Sequence, residues 1–131
     1  HHLGNVRLLH CEAAMFLRQY VADAALAAIH VYFPDPWPKK RHHKRRLIQE
    51  PTLRLFHRRL AAGGVVHLTT DHAGYFEWMT AEVAKVSDLF ASGPFSPPAS
   101  AGEGELVGSN FERKYRREGR PFFAMTLRAE I

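Results

Sequence analysis

The sequence predicts an α/β sheet with helices on both faces. Compact runs of β-branched and aromatic residues, AIHVYF at 28–33 and VVHLTT at 65–70, alternate with stretches whose apolar residues recur at three and four. Turn or cap chemistry closes each run, Pro34 after the first and Asp71 after the second. Alternation of this kind is the signature of strands and helices wound into one layered sheet. The 131 residues, 46% hydrophobic and 24% charged, suit one globular domain or part of one.

Residues 5–10 read as a short apolar strand. Residues 13–21 follow with helical spacing at Met15, Phe16 and Tyr20, and residues 28–33 form a buried strand. Pro51 suits a first helical turn; Leu53, Phe56 and Leu60 then repeat on one face, and Gly63-Gly64 is predicted to end that helix. Residues 65–70 form the next strand. Asp71 is the predicted cap of a helix whose apolar stripe is Tyr75, Phe76, Met79, Val83 and Val86, with Trp78 off the stripe. Residues 92–105, rich in Gly, Pro, Ser and Ala, read as a long loop. Residues 109–117 form a short basic helix and residues 122–128 a final strand.

Composition excludes a disordered tail, a collagen-like repeat and a coiled coil. No run of about 18 apolar residues is present, so no membrane-spanning helix is expected. No secretory leader is legible. The single thiol, Cys11, cannot form an intrachain disulfide and fits a reducing cytoplasm; it reads as a buried small hydrophobe. His42-His43, His57, His67 and His72 lack ligand spacing, so no metal is expected. Net charge is +5. Six of the eighteen Lys and Arg fall in the octet 39–46, and five more lie between Arg113 and Arg120. Two such clusters on a small domain form either a phosphate-binding footprint or a solvated basic face.

In open α/β sheets, ligands gather at the carboxyl ends of strands. Glu12, Asp35 and Asp71 stand at predicted ends. Each singly also reads as a cap or loop carboxylate; together they suggest a site for a cationic or donor-rich ligand. The informative segment is Phe33-Pro34-Asp35-Pro36-Trp37-Pro38 followed at once by the basic octet. Two prolines fix the backbone around Asp35, Trp37 offers a flat π-face, and the octet offers phosphate ligands. That combination suits a nucleobase held at a strand end. The competing reading is a proline-rich turn with Trp37 in the core.

FPDPWPKKRHHKRR resembles the signature of the bacterial tRNA (guanine-N7-)-methyltransferases, which methylate a guanine in the tRNA variable loop with S-adenosylmethionine. Leu68-Thr69-Thr70-Asp71, Ser109-Asn110-Phe111-Glu112-Arg113 with Gly119, and Asn5-Val6-Arg7 through Glu12-Ala13 resemble further family segments in the expected order. The resemblance runs nearly end to end and implies a Rossmann-like class I methyltransferase fold, a tRNA partner and a cytoplasmic enzyme. It places Glu12, where the family usually has aspartate, beside the cofactor's adenine. It makes Asp35 the catalytic carboxylate between cofactor and guanine. Lys39 and Asp71 would contact the guanosine. Arg41, His42, His43, Lys44, Arg45 and Arg46 would line the tRNA backbone, and Ser109, Asn110, Phe111 and Glu112 would close over the substrate.

The residue types suit that chemistry. Guanine N7 carries an in-plane lone pair, so no strong base is needed. Transfer is an in-line displacement governed by orientation. A fixed carboxylate at Asp35 would stabilise positive charge on the sulfonium or the methylated ring. A carboxylate at Asp71 would accept from the guanine N1–H and exocyclic amine.

The family's glycine-rich cofactor turn and ribose-binding acid precede the residue-5 strand and are not found here. Residues 1–131 are therefore expected to be a single domain, the C-terminal portion of a methyltransferase domain from its third strand onward. The strands not found here would sit between residues 5–10 and 28–33, leaving unpaired edges. The isolated chain is expected neither to bind S-adenosylmethionine well nor to fold stably. Two rivals stand beside this reading: another S-adenosylmethionine-dependent nucleic-acid N-methyltransferase, and a non-catalytic RNA-binding module.

Overall fold

The computed structural model describes residues 3–97 and 101–130. In chain order it contains α1 (Ala13–Tyr20), β1 (Leu26–Tyr32), a 3-10 helix (Lys40–Arg45), α2 (Glu50–Arg59), β2 (Leu60–Thr70), α3 (Ala73–Ala84), β3 (Phe90–Gly93), α4 (Asn110–Arg117) and β4 (Phe123–Ala129). The strands form one sheet in the order β1-β2-β4-β3. β1 and β2 run parallel, while β4 is antiparallel to both β2 and β3. Because β1 and β2 are parallel and Tyr32 lies opposite Thr69, their carboxyl ends share one rim.

Strand alternation sets the core. Ile29 and Val31, Val66 and Leu68, and Met125 and Leu127 turn to one face, where they meet Leu17 of α1, Leu53 and Phe56 of α2, and Tyr75 and Met79 of α3. The α/β class holds, but α1, α2 and α3 share this face rather than dividing between two. The crossovers through α2 and α3 step the same way across the sheet, and connections of one hand then land on one side. On the opposite face His30 stacks on His67 at 4.8 Å, Phe95 meets the His67 ring at 5.6 Å, and His67 Nδ1 lies 3.0 Å from Thr126 Oγ1. Burial, with His30 and Arg128 nearby, lowers the His67 pKa.

Residues 5–10 are not a strand. They join no ladder, and Leu8 and Leu9 are exposed by 93% and 65%. A lone extended segment without a partner has nothing to hold its geometry. Cys11 is exposed rather than buried. The helix cap of α3 is His72, whose Nδ1 accepts from Tyr75 N at 2.9 Å, which leaves Asp71 free for other work. Trp78 is half-buried and donates from Nε1 to Ile48 O at 2.7 Å. β3 falls at the start of the stretch read as loop; only Phe90 of its four residues is buried, so it shows no alternation. Residues 98–100 of that stretch lie outside the described residues.

Gly63-Gly64 does not end α2. The helix stops at Arg59, whose buried guanidinium donates to Leu17 O at 2.8 Å and pairs with Asp23, tying α1 to α2. The glycines instead lie in β2, where the pairing jumps from Leu26 opposite Leu60 to Ala28 opposite Val65. Gly63 takes φ +74°, and a Cβ on Gly64 would lie 2.9 Å from Ala61 O and 3.1 Å from Ala27 O. Both neighbours are backbone and cannot rotate away. Gly64→Ala is therefore expected to lower stability by about 1–3 kcal/mol in urea unfolding. A loss below about 0.5 kcal/mol would show that the bulge can widen without cost.

Candidate active site

The Asp35 loop leaves the rim of β1. Phe33 N still donates to Thr69 O at 3.0 Å, after which Phe33 itself turns the chain at φ +52°. Pro34 and Pro36 hold the next residues, and Asp35 Oδ1 accepts from Trp37 N at 3.2 Å, an Asx turn. Trp37 takes φ +43°. Asp35 is exposed, so its carboxylate faces solvent at the strand end and not the interior.

The basic octet divides by geometry. A 3-10 helix has three residues per turn, so side chains at i and i+3 eclipse. His42 and Arg45 form one row on Trp37: the His42 ring is edge-on at 5.7 Å and the Arg45 guanidinium lies 5.1 Å over the indole. His43 and Arg46 form the next row, turned toward Trp78 at 5.6 and 5.2 Å. Arg46 was expected on the tRNA backbone and is instead 4% exposed. Its Nε donates to Pro36 O at 2.7 Å and its guanidinium lies 4.9 Å over Tyr75, so it braces the Asp35 loop from behind. Burial lowers its pKa, with Tyr75 opposing. Lys39, Lys40, Arg41, Lys44 and Arg45 are exposed, and none forms an ion pair among the described residues. Asp35, the Trp37 indole and the Arg45 guanidinium thus adjoin one another at the strand end.

Asp71 follows β2 on the same rim and is partly buried. Arg120 donates to its Oδ2 at 3.3 Å, reaches Glu118 at 2.9 Å, and lies 4.1 Å over the Tyr115 ring. Tyr115 in turn meets Phe33 edge-on at 6.1 Å. The structure therefore brings the Asp35 loop, Asp71 and α4 together. Sequence reading missed Arg120, Tyr115 and Phe33 as the parts that join them, and a pairing across 49 residues leaves no local signal.

Two expected ligand contacts are spoken for. Glu112, expected over the substrate, is fully buried. Its carboxylate accepts from Leu106 N at 2.5 Å, from Val107 N and Gly108 N at 3.0 Å, and from Arg116 at 2.9 Å. Burial alone would raise its pKa; the amides and Arg116 outweigh that and hold it low. Ser109 caps α4, its Oγ accepting from Glu112 N at 3.1 Å. Ser109 and Glu112 build the loop instead of facing a ligand. Ser-x-x-Glu before a helix is the capping-box pattern, a signal present in the sequence, of which Ser109 forms its half while Glu112 reaches the preceding loop. Asn110 and Phe111 remain outward, Phe111 by 61%. Glu12 caps α1, accepting from Ala14 N at 3.1 Å and Met15 N at 2.6 Å.

Among the described residues no group of three His, Cys, Asp or Glu could hold a metal, and no helix is long and apolar enough to cross a membrane. Residues 1–125 match a family described as putative methyltransferase. A tRNA (guanine-N(7)-)-methyltransferase of Alkalilimnicola ehrlichii is 43% identical over 130 residues, covering 97% of this chain and 53% of the relative. A protein of the same name from Rhodococcus jostii is 46% identical over 117 residues, 89% of this chain and 44% of the relative. The chain thus spans about half the length of the curated relatives it matches. A SAM dependent methyltransferase from Archaeoglobus fulgidus shares the fold at TM-score 0.54 and 9% identity, over 95% of this chain and 68% of that one. With the match running over nearly all of its length, the chain belongs to the putative methyltransferase family.

Proposed function

We propose that this chain is the C-terminal portion of a cytoplasmic, S-adenosylmethionine-dependent methyltransferase domain that methylates N7 of a guanine in the tRNA variable loop. The observation that carries this reading is the exposed Asp35 carboxylate beside a Trp37 indole that stacks under Arg45, in a family of methyltransferases. Asp35 is the catalytic residue, placed to stabilise charge on the transferring centre. Lys39, Asp71, Asn110 and Phe111 contact the substrate nucleoside, and Arg41, His42, Lys44 and Arg45 contact the RNA backbone.

The cofactor, when bound, supplies a methyl group on a positively charged sulfur. The residues present fit part of it. The exposed carboxylate of Asp35 suits a cation. Glu12, although its oxygens cap α1, keeps lone pairs for the adenine amine beyond the two bonds it accepts.

Incubation of the complete methyltransferase domain that contains this chain with unmodified bulk tRNA and S-adenosylmethionine, followed by nucleoside mass spectrometry, is expected to yield 7-methylguanosine, whereas residues 1–131 alone are expected to yield none. A different methylated base would identify another nucleic-acid N-methyltransferase. RNA binding without methyl incorporation would identify a non-catalytic module.

A further inference from the structure

Five cations lie between residues 113 and 120, and the structure sorts them. Arg113 is held by Glu105 at 2.8 and 3.1 Å, Arg116 by buried Glu112, and Arg120 by Asp71 and Glu118. Lys114 and Arg117 are exposed and have no carboxylate partner among the described residues. At 3.6 residues per turn, Phe111, Lys114 and Arg117 occupy the arc of α4 that faces away from Glu112. Phe111 is the exposed aromatic on that arc and leans on Tyr115 at 6.0 Å, which continues to Phe33 beside Asp35. The Asp35 loop therefore carries the Arg45–Trp37 pair, and α4, joined to that loop through Tyr115 and Phe33, presents Phe111, Lys114 and Arg117 on one outward arc.

We propose that this face of α4 is a second RNA-binding surface, which takes the unpaired strand next to the target base, with Lys114 and Arg117 on its phosphates beside the Phe111 ring that contacts the target nucleoside. The proposal rests on the tRNA reading above and extends it to residues outside the Asp35 loop. Splayed single-stranded bases stacked on aromatic side chains beside cations are the usual form of RNA capture.

The test measures binding of bulk tRNA to the purified protein across a salt series. Two double variants are compared, Lys114→Ala with Arg117→Ala and Lys44→Ala with Arg45→Ala, each checked for native circular dichroism. Each lost phosphate contact flattens the slope of log K on log salt by about 0.7–0.9. The α4 pair is expected to flatten it by about 1.4–1.8, and Phe111→Ala to weaken binding with the slope unchanged. If only the 44 and 45 pair changes the slope, the α4 surface is refuted and the tRNA reading stands. If neither pair does, both are overturned.

Discussion

In the complete methyltransferase domain, Asp35→Ala is expected to cut methyl transfer about 10²- to 10³-fold, the range seen when one electrostatic contact to a transition state is removed. Affinity for tRNA should change less than about threefold, because affinity rests on the phosphate contacts and Asp35 carries none of them. Single-turnover rates and equilibrium binding on the same preparation separate the two effects. Asp35→Asn sharpens the result. An asparagine Oδ1 can still accept from Trp37 N, so the turn survives and only the charge is lost. A slow Asn variant places the effect in the carboxylate's charge. Full rescue by Asn would make Asp35 a turn residue and nothing more, and equal losses of rate and binding in the Ala variant would contradict a role in the chemical step.

Glu112→Ala should be the most damaging change for the fold around α4. It strips a fully buried carboxylate from the amides of Leu106, Val107 and Gly108 and from Arg116. A buried donor left without an acceptor costs about 1–3 kcal/mol; Val107 is buried while Leu106 and Gly108 are half-buried and can turn to water, so a loss of about 2–5 kcal/mol is expected. Hydrogen exchange at the three amides reads that loss even where α4 opens locally. Protection unchanged in the variant would mean that the loop is held by other contacts.

The pH dependence has a definite sign. The folded pKa of Glu112 lies below its ordinary value, so the unfolded chain binds the proton more readily. This contribution is complete above the ordinary carboxylate range. It fades as pH falls toward the depressed folded value and is absent from the Ala variant.

The parts of this site that lie close together in sequence were legible, and the parts that meet across the fold were not. Asp35 and Trp37 are fixed by prolines within five residues, so their adjacency follows from local chemistry. Arg45 and Arg46 are neighbours of the same type with opposite fates, one over Trp37 in solvent and one braced against Tyr75 and Trp78. A charge count cannot tell them apart; the 3-10 period does. Helix α3 emerged from periodicity because it buries one continuous face, whereas α1 buries Leu17 and leaves Tyr20, read as part of its apolar spacing, 71% exposed. Gly63-Gly64 was misread because a helix end and a bulge ask for the same backbone freedom. The capping role of Ser109 was in the sequence pattern, but the burial of Glu112 depended on a loop that folds back over it.

Phe33 and Trp37 hold left-handed backbone on either side of Asp35, which non-glycine residues adopt at about 1–3 kcal/mol each. The loop is therefore set in its final shape before any ligand arrives. Ordering it is a debt settled by folding rather than by capture, so the base of the proposed reaction would meet a loop already turned. Phe33→Gly would relax the backbone there and return that entropy to the binding step, while also removing the ring that joins the loop to Tyr115.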